Sequence, residues 1–177
     1  LNVIKYAIDS IRDTASSFSR AFVIEAMGRE CGYLSLVSAL TSGAEMCLIP
    51  EIPYDLDNYK KRFKKEIEEG RGYFIAVVSE ALKRSEQIVE WFGEDIGVES
   101  RLMVLGHIQR GGNPTVRDRL MAFHFVTHAI DGLLEGNRSS VVCYNNGGFN
   151  HKKIEEVAFM KYQIKEDLLK LGREFGR

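Results

Sequence analysis

Short apolar segments alternate with amphipathic helical segments along this chain, and this alternation constrains the fold more than any other feature. Four short apolar runs predict strands: residues 21–24, which are typical of a buried strand, 46–49, 74–78 and 101–105. Apolar residues at helical spacing separate them, in 34–40, 59–69 and 85–92. Strands that alternate with helices are typical of a parallel sheet covered on both faces. The predicted fold class is therefore α/β, a three-layer Rossmann-like parallel sheet with flanking helices.

The pattern loosens after a long predicted helix over residues 115–135. We therefore predict three parts: an α/β domain over 1–114, a helix and a late strand over 115–150, and a C-terminal helical segment over 151–177. The first residue is Leu1, and a helical pattern begins almost at once. We expect the sequence to begin inside a larger protein.

Composition excludes several classes of partner. The net charge is −1 with 45% hydrophobic residues, which argues against a general nucleic-acid or membrane-surface binder. No apolar run approaches the length of a membrane span.

The three scattered cysteines, Cys31, Cys47 and Cys143, lack disulfide or metal-ligand spacing, so we expect reduced thiols in a cytoplasmic protein. His124 and His128 stand four apart on a helix, but no third ligand is evident, and packing is the favoured interpretation.

Chemically useful side chains follow three of the predicted strands. Arg29 follows the first in a glycine-containing turn, Glu80 follows the third, and a loop with His107 and Arg110 follows the fourth. In open parallel sheets, ligands bind beyond the carboxyl ends of the strands. Guanidinium groups pair with phosphate oxygens, and carboxylates accept hydrogen bonds from hydroxyls. The sequence therefore predicts a site for a phosphorylated polyol.

Two further arginines stand at the opposite strand ends. Arg20 precedes the first strand and Arg101 begins the fourth. They cannot easily reach the pocket of Arg29 and Arg110 within one subunit. Either they are solvated strand-end charges, or they serve a pocket on a neighbouring molecule.

Two long motifs resemble those of bacterial phosphofructokinases. Residues 22–33, which contain Met27-Gly28-Arg29, resemble the Met-Gly-Arg strand and turn of that family. Residues 105–114, followed by Asp118 and Arg119, resemble its fructose 6-phosphate loop. Shorter segments also fit without gaps: 12–17, 43–45 and 49–51. The resemblance runs from about residue 8 to residue 136, and it implies a fragment of a two-domain phosphofructokinase fold.

The resemblance implies a substrate site for fructose 6-phosphate. The substrate-binding residues would be Arg20, Met27, Gly28, Arg29, Glu80, Arg101, His107, Ile108, Gln109 and Arg110. Arg29 would also stabilise charge on the transferred phosphoryl group, Glu80 would hold sugar hydroxyls, and Arg20 and Arg101 would reach an adjacent subunit's pocket. The parent would be a cytoplasmic glycolytic kinase, an allosteric homotetramer that uses Mg²⁺ and ATP as co-substrate.

An effector site for a nucleotide or phosphoenolpyruvate is also implied. Its residues would be Arg12, Gly43, Ala44, Glu45, Glu69, Arg71, Gly72 and Tyr73, with Glu45 acting through a magnesium ion. The family usually has Lys where this chain has Glu69. Because a carboxylate repels phosphate, we expect weakened or altered effector control.

The family's nucleotide-binding glycine loops and catalytic Asp base have no counterpart in this sequence. We expect them upstream of Leu1, with the helix and strand of 115–150 crossing back toward that nucleotide domain, and we expect the isolated chain to be inactive. Three alternatives stay open: a pyrophosphate-dependent phosphofructokinase, a non-catalytic sugar-phosphate-binding regulatory subunit, and an unrelated sugar-phosphate-binding α/β domain.

Overall fold

The computed structural model describes residues 1–176, and its first feature is the predicted parallel sheet. The sheet has four strands: β1 (Ala21–Ala26), β2 (Met46–Leu48), β3 (Phe74–Ser79) and β4 (Ser100–Val104). Four helices accompany them: α1 (Asn2–Phe18), α2 (Tyr33–Ser42), α3 (Leu56–Glu68) and α4 (Ser85–Trp91), the last continued by a π-helical turn (Phe92–Ile96). The predicted α/β class and the alternation of strands with helices are confirmed.

The strand order is β2-β3-β1-β4, and every neighbouring pair is parallel. β1 lies inside the sheet, where Ala21 is in register with Phe74 of β3 and Ser100 of β4. The three strands therefore begin and end nearly together. Their carboxyl ends share one edge of the sheet, where ligands bind in folds of this kind.

Both faces of the sheet are covered at β1, β2 and β3, whereas the edge strand β4 leaves Arg101, Met103 and Val104 exposed. Alternate residues of a strand point to opposite faces, so Phe22 and Ile24 of β1 enter one core while Val23 enters the other. All six residues of β3 are buried, which fits its nearly continuous apolar sequence. In the second core, the ring of Phe63 stacks 4.4 Å from that of Phe74. These two cores explain why β1, β2 and β3 are nearly continuous apolar runs.

The chain divides into two compact units. Residues 1–111 and 163–176 form the first, and Gly112–Tyr162 forms the second. The C-terminal helix α7 (Glu166–Arg173) belongs to the first unit because Leu168 and Leu169 pack against its core. The units thus divide the chain differently from the predicted parts 115–150 and 151–177.

The second unit consists of a long helix and a hairpin. Its elements are α5 (Val116–Leu134), β5 (Ser140–Asn145), β6 (Gly148–Lys153) and the short helix α6 (Ile154–Val157). A capping box between Thr115 and Asp118 begins α5. Sequence analysis missed β6, since its residues are mostly polar, although Asn146-Gly147 is a strong hairpin signal.

Aromatic packing accounts for the paired histidines of α5. The ring of Phe149 on β6 stacks on His128 at 4.6 Å and lies 5.5 Å from His124. His151 donates to, or accepts from, Ser140 through Nδ1 at 3.2 Å, and its Nε2 lies 3.1 Å from the carbonyl oxygen of His128. Among residues 1–176, no three His, Cys, Asp or Glu side chains cluster to hold a metal ion.

The cysteines of the described chain are unpaired. Burial raises the pKa of the Cys47 thiol to about 12, so this thiol keeps its proton at neutral pH. Within the part of the chain that the structure describes, no helix is long and apolar enough to span a membrane.

Gly32, which precedes α2, has no room for a side chain. A Cβ atom there would lie 2.3 Å from the Cβ of Ile49, an atom fixed to the backbone that cannot turn away. We predict that Gly32→Ala lowers the free energy of unfolding by about 1–3 kcal/mol, the usual cost of overpacking. Equilibrium urea denaturation measures this change.

Gly93→Ala is the matched control, because a Cβ at Gly93 meets no atom within 4 Å. Its stability should stay within about 1 kcal/mol of the parent. Equal effects of the two substitutions would contradict the close packing of Gly32 on Ile49.

Candidate functional site

Three loops leave the sheet at its carboxyl edge. Ala26 ends β1 opposite Ser79 at the end of β3, and Glu25 is in register with Val104 at the end of β4. Residues 27–32, 80–84 and 105–111 therefore start side by side. This edge brings together the loop residues that the sequence predicted for a sugar phosphate.

Glu80 holds the turn that follows β1. Its Oε1 accepts hydrogen bonds from the backbone N–H groups of Gly28 at 3.0 Å and Arg29 at 2.9 Å. Ser79 caps the 3₁₀ turn that begins at Glu80. One carboxylate oxygen thus fixes the backbone that carries Arg29, a role that the sequence alone did not indicate.

Gln109 joins the turn to the loop after β4. Its Oε1 accepts from Met27 N–H at 2.7 Å, and its Nε2 donates to the carbonyl oxygen of Met27 at 3.2 Å. The residue is 8% exposed, which is unusual for a glutamine. Both halves of the amide are engaged by Met27, so Gln109 positions the turn; its direct contact with a substrate stays a prediction.

The turn itself is tight. Cys31 N–H donates to the carbonyl oxygen of Gly28 at 2.6 Å. A Cβ at Gly28 would lie 2.4 Å from the carbonyl oxygen of Cys31, so glycine is required there. Glu51 supports the far end, since both of its carboxylate oxygens accept from Gly32 N–H, at 2.9 and 3.1 Å. Sequence analysis assigned no such role to Glu51.

Two guanidinium groups and one imidazole at this edge face solvent. The side chains of Arg29, His107 and Arg110 are exposed, and within residues 1–176 none makes a hydrogen bond or ion pair. His107, Ile108 and Arg110 lie on the 3₁₀ turn Gly106–Arg110. Guanidinium groups that are not neutralised by protein carboxylates are suited to bind an anion.

Glu25 does not join the edge as a ligand group. Its Oε2 accepts a hydrogen bond from the hydroxyl of Ser85 at 2.5 Å, which ties β1 to the start of α4. The carboxylate is therefore engaged in linking a strand to a helix.

Arg20 and Arg101 lie away from this edge, at the amino-terminal side of the sheet. Arg20 directly precedes β1, and Arg101 is the second residue of β4. Both pair with Glu99, which joins Arg20 Nε at 2.9 Å and Arg101 Nη2 at 2.6 Å. Within this chain they do not meet Arg29 or Arg110.

The predicted effector residues converge on Glu45. Its Oε1 pairs with Arg71 at 2.7 Å and Arg12 at 3.4 Å, and its Oε2 accepts from Ile75 N–H at 2.7 Å. Arg12 also donates to the carbonyl oxygen of Gly43 at 2.7 Å, and its Nη1 lies 3.5 Å from the hydroxyl of Tyr73. A cavity of about 480 Å³ opens beside this cluster, lined by Leu40, Gly43, Ala44, Glu45, Arg62, Glu66, Arg71, Leu171, Glu174 and Phe175.

Two predicted effector residues stand apart from the cluster. Glu69 is exposed and lies 3.8 Å from Lys65 one helical turn earlier. Gly72 packs against Ser19, whose Oγ would be 3.0 Å from an added Cβ. Neither contacts Glu45.

The surroundings of Glu45 do not fit the predicted magnesium ion. The carboxylate is 10% exposed and faces two guanidinium groups and a backbone N–H. A cation there would have to displace both arginines. The metal at Glu45 therefore stays a prediction that this arrangement does not support.

Comparison with known proteins gives the family. A family model for Phosphofructokinase matches residues 1–133. An ATP-dependent 6-phosphofructokinase of Sulfurovum sp. is 74% identical over 175 residues, which cover 99% of this chain and 54% of that protein. One of Sulfurimonas denitrificans is 59% identical, with 99% and 55% covered. The chain thus spans about half the length of these curated relatives.

Solved structures agree with the sequence comparison. Phosphofructokinase from Saccharomyces cerevisiae superposes with a TM-score of 0.77 at 30% identity, covering 88% of this chain and 22% of that chain. A pyrophosphate-dependent phosphofructokinase from Marinobacter aquaeolei gives a TM-score of 0.72 at 18% identity, covering 98% and 54%, and at that identity supports the fold alone. Since the family model matches residues 1–133 of 177, the chain belongs to the phosphofructokinase family.

Proposed function

We propose that the protein is an ATP-dependent 6-phosphofructokinase and that this chain supplies its sugar-phosphate site. The observation that supports this proposal is the carboxyl edge of the sheet. There, Arg29, His107 and Arg110 face solvent around a turn that Glu80 and Gln109 hold by hydrogen bonds. The names of the similar bacterial proteins support the activity. The enzyme would work in glycolysis in the cytoplasm.

Each loop has a part in binding fructose 6-phosphate. Arg110 and His107 hold the 6-phosphate, since a guanidinium fork matches phosphate oxygens. Met27 and Gly28 present turn backbone to the sugar, and Ile108 shapes the loop. Glu80 can still offer Oε2 to a sugar hydroxyl while Oε1 holds the turn.

Arg29 acts on the reacting phosphoryl group. Transfer from ATP to the 1-hydroxyl forms one P–O bond, breaks another, and yields ADP and fructose 1,6-bisphosphate. Negative charge spreads over the phosphoryl oxygens during this step, and Arg29 stabilises it electrostatically. The hydroxyl proton goes to a base, which we place in the part of the family fold that this chain does not span.

The phosphoryl donor and the metal belong to that same part. ATP is favoured over pyrophosphate as the donor because the relatives at 74% and 59% identity are both named ATP-dependent 6-phosphofructokinase. Magnesium bound to ATP would neutralise charge on the nucleotide phosphates.

Arg20 and Arg101 complete the site of a neighbouring subunit in a homo-oligomer, which we propose to be a tetramer. At the amino-terminal side of the sheet, Arg101 is exposed and Arg20 is half-buried. This placement is what a contribution to another subunit's phosphate site requires. We also propose that residues 1–114 bind the sugar phosphate and that 115–150 cross to the nucleotide domain. The predicted C-terminal part, 151–177, is divided between the two compact units, since residues 163–176 belong to the unit of residues 1–111.

An anionic effector, a nucleotide or phosphoenolpyruvate, is proposed for the cavity beside Glu45. Arg71 lines this cavity and Arg12 adjoins it through Glu45, but both arginines already pair with that carboxylate. Glu69, where the family usually has Lys, does not line the cavity. We therefore expect weak effector binding. Calorimetric titration of the chain with a nucleoside diphosphate tests this expectation. Weak or absent binding would support it, and tight binding would contradict it.

Arg110→Ala is expected to weaken binding of fructose 6-phosphate by about 10- to 150-fold, the loss of charge-assisted hydrogen bonds worth about 1.5–3 kcal/mol. Isothermal titration calorimetry of the chain measures the dissociation constant. Fructose is the ligand control, and Arg138→Ala, which removes another exposed arginine, is the matched variant. Equal affinity of Arg110→Ala and Arg138→Ala for the sugar phosphate would contradict the assignment.

The chain of 177 residues is expected to transfer no phosphoryl group from ATP by itself, because the family's base has no counterpart in its sequence. ³¹P NMR of the chain with ATP, Mg²⁺ and fructose 6-phosphate measures formation of the bisphosphate. Turnover that disappears in Arg29→Ala would show that the chain carries its own base and would overturn this part of the proposal.

A further inference from the structure

One carboxylate, Glu99, lies between the two arginines at the amino-terminal side of the sheet. Its Oε2 pairs with Arg20 Nε at 2.9 Å, and its Oε1 pairs with Arg101 Nη2 at 2.6 Å. The exposed fractions are 33% for the Arg20 side chain, 60% for Arg101 and 51% for Glu99. Glu99 is thus a shared partner of two guanidinium groups on an open surface.

Strand geometry brings the three residues together. The backbone N–H of Ala21 donates to the carbonyl oxygen of Glu99 at 2.9 Å, which places the residues before β1 and β4 side by side. Arg101 follows Glu99 by two positions, so in extended backbone both side chains point to the same side. The arrangement therefore follows from the pairing of β1 with β4 and is not a chance contact of two long side chains.

We propose that Glu99 is a positioning residue that holds Arg20 and Arg101 as a pair for the phosphate group of a sugar phosphate. This inference rests on the proposed function, in which both arginines bind the substrate of an adjacent subunit. Glu99 itself does not touch the substrate.

The hydrogen-bond pattern leaves both guanidinium groups able to bind. Each guanidinium carries five N–H donors. Arg20 donates its Nε–H to Glu99, and Arg101 donates to the same carboxylate from one terminal nitrogen, Nη2. Among residues 1–176, no other hydrogen-bond acceptor engages the remaining donors of either side chain. The guanidinium of Arg20 also lies over the ring of Phe18, 5.5 Å from its centroid. The group of three keeps a net charge of +1, which suits an anion.

Glu99 has two opposing effects on phosphate binding: it orients the two arginine side chains, and it lowers the local positive charge. An arginine side chain has much rotamer freedom to lose on binding, and one that is already held loses less. Removal of the carboxylate would also raise the local positive charge, which by itself favours phosphate. Because exposed charges are screened by water and salt, the loss of orientation outweighs the gain in charge.

The test compares Glu99→Gln with Glu94→Gln in the same chain. Both substitutions raise the net charge by one, but Glu94 is exposed and its side chain makes no hydrogen bond or ion pair with residues 1–176. Calorimetric titration with fructose 6-phosphate should show affinity about three- to tenfold lower in Glu99→Gln, as for two exposed ion pairs. Glu94→Gln should bind as the parent does, and fructose should not distinguish the variants.

Two further measurements separate positioning from a structural role. The thermal midpoint of Glu99→Gln should equal that of the parent. Arg20→Ala should weaken binding less in the Glu99→Gln background than in the parent, since the two residues act together.

The outcomes distinguish this inference from the proposed function. If the parent binds and Arg110→Ala does not, but Glu99→Gln equals Glu94→Gln or binds more tightly, the role of Glu99 is overturned and the proposed function stands. If the parent chain binds no fructose 6-phosphate, both are overturned.

Discussion

Parallel pairing of β1 with β3 on one side and β4 on the other sets where every candidate functional residue lies. Because Ala26 is level with Ser79, and Glu25 with Val104, the loops that carry Arg29, Glu80 and Arg110 open at one edge. The same register puts the residues before β1 and β4 side by side at the other edge. Burial of both faces holds this register, since a shift by one residue would turn apolar side chains of β1 to the wrong core.

The edge is preorganised by hydrogen bonds to backbone. Loop N–H groups need partners, and here Glu80 and Gln109 provide them to the turn at residues 27–29. A buried glutamine that satisfies both polar groups of Met27 fixes the distance between two loops. The exposed arginine side chains are then carried on backbone that these hydrogen bonds hold in place. Such an arrangement suits phosphoryl transfer, which depends on positioning and on stabilising charge.

Sequence reasoning predicted the sheet, its parallel sense and the loops at its carboxyl edge, because apolar periodicity and strand ends are local signals. It did not predict that Glu80 and Gln109 bind the turn. Their partners are 51 and 82 residues away in sequence, and only tertiary structure brings them together. The same holds for Glu99, which lies 79 residues from Arg20. Strand β6 was missed because its polar residues lack a strand pattern, despite the Asn-Gly turn signal before it.

The two predicted sites differ in how ready they are for an anion. At the carboxyl edge, no protein carboxylate pairs with Arg29 or Arg110 within residues 1–176, whereas Arg12 and Arg71 already pair with Glu45.

A crystal structure of the chain with fructose 6-phosphate tests the central claim most directly. The account predicts the phosphate within hydrogen-bond distance of Arg110, with Gln109 still bonded to Met27. A phosphate bound between Arg12 and Arg71, with the carboxyl edge empty, would contradict it.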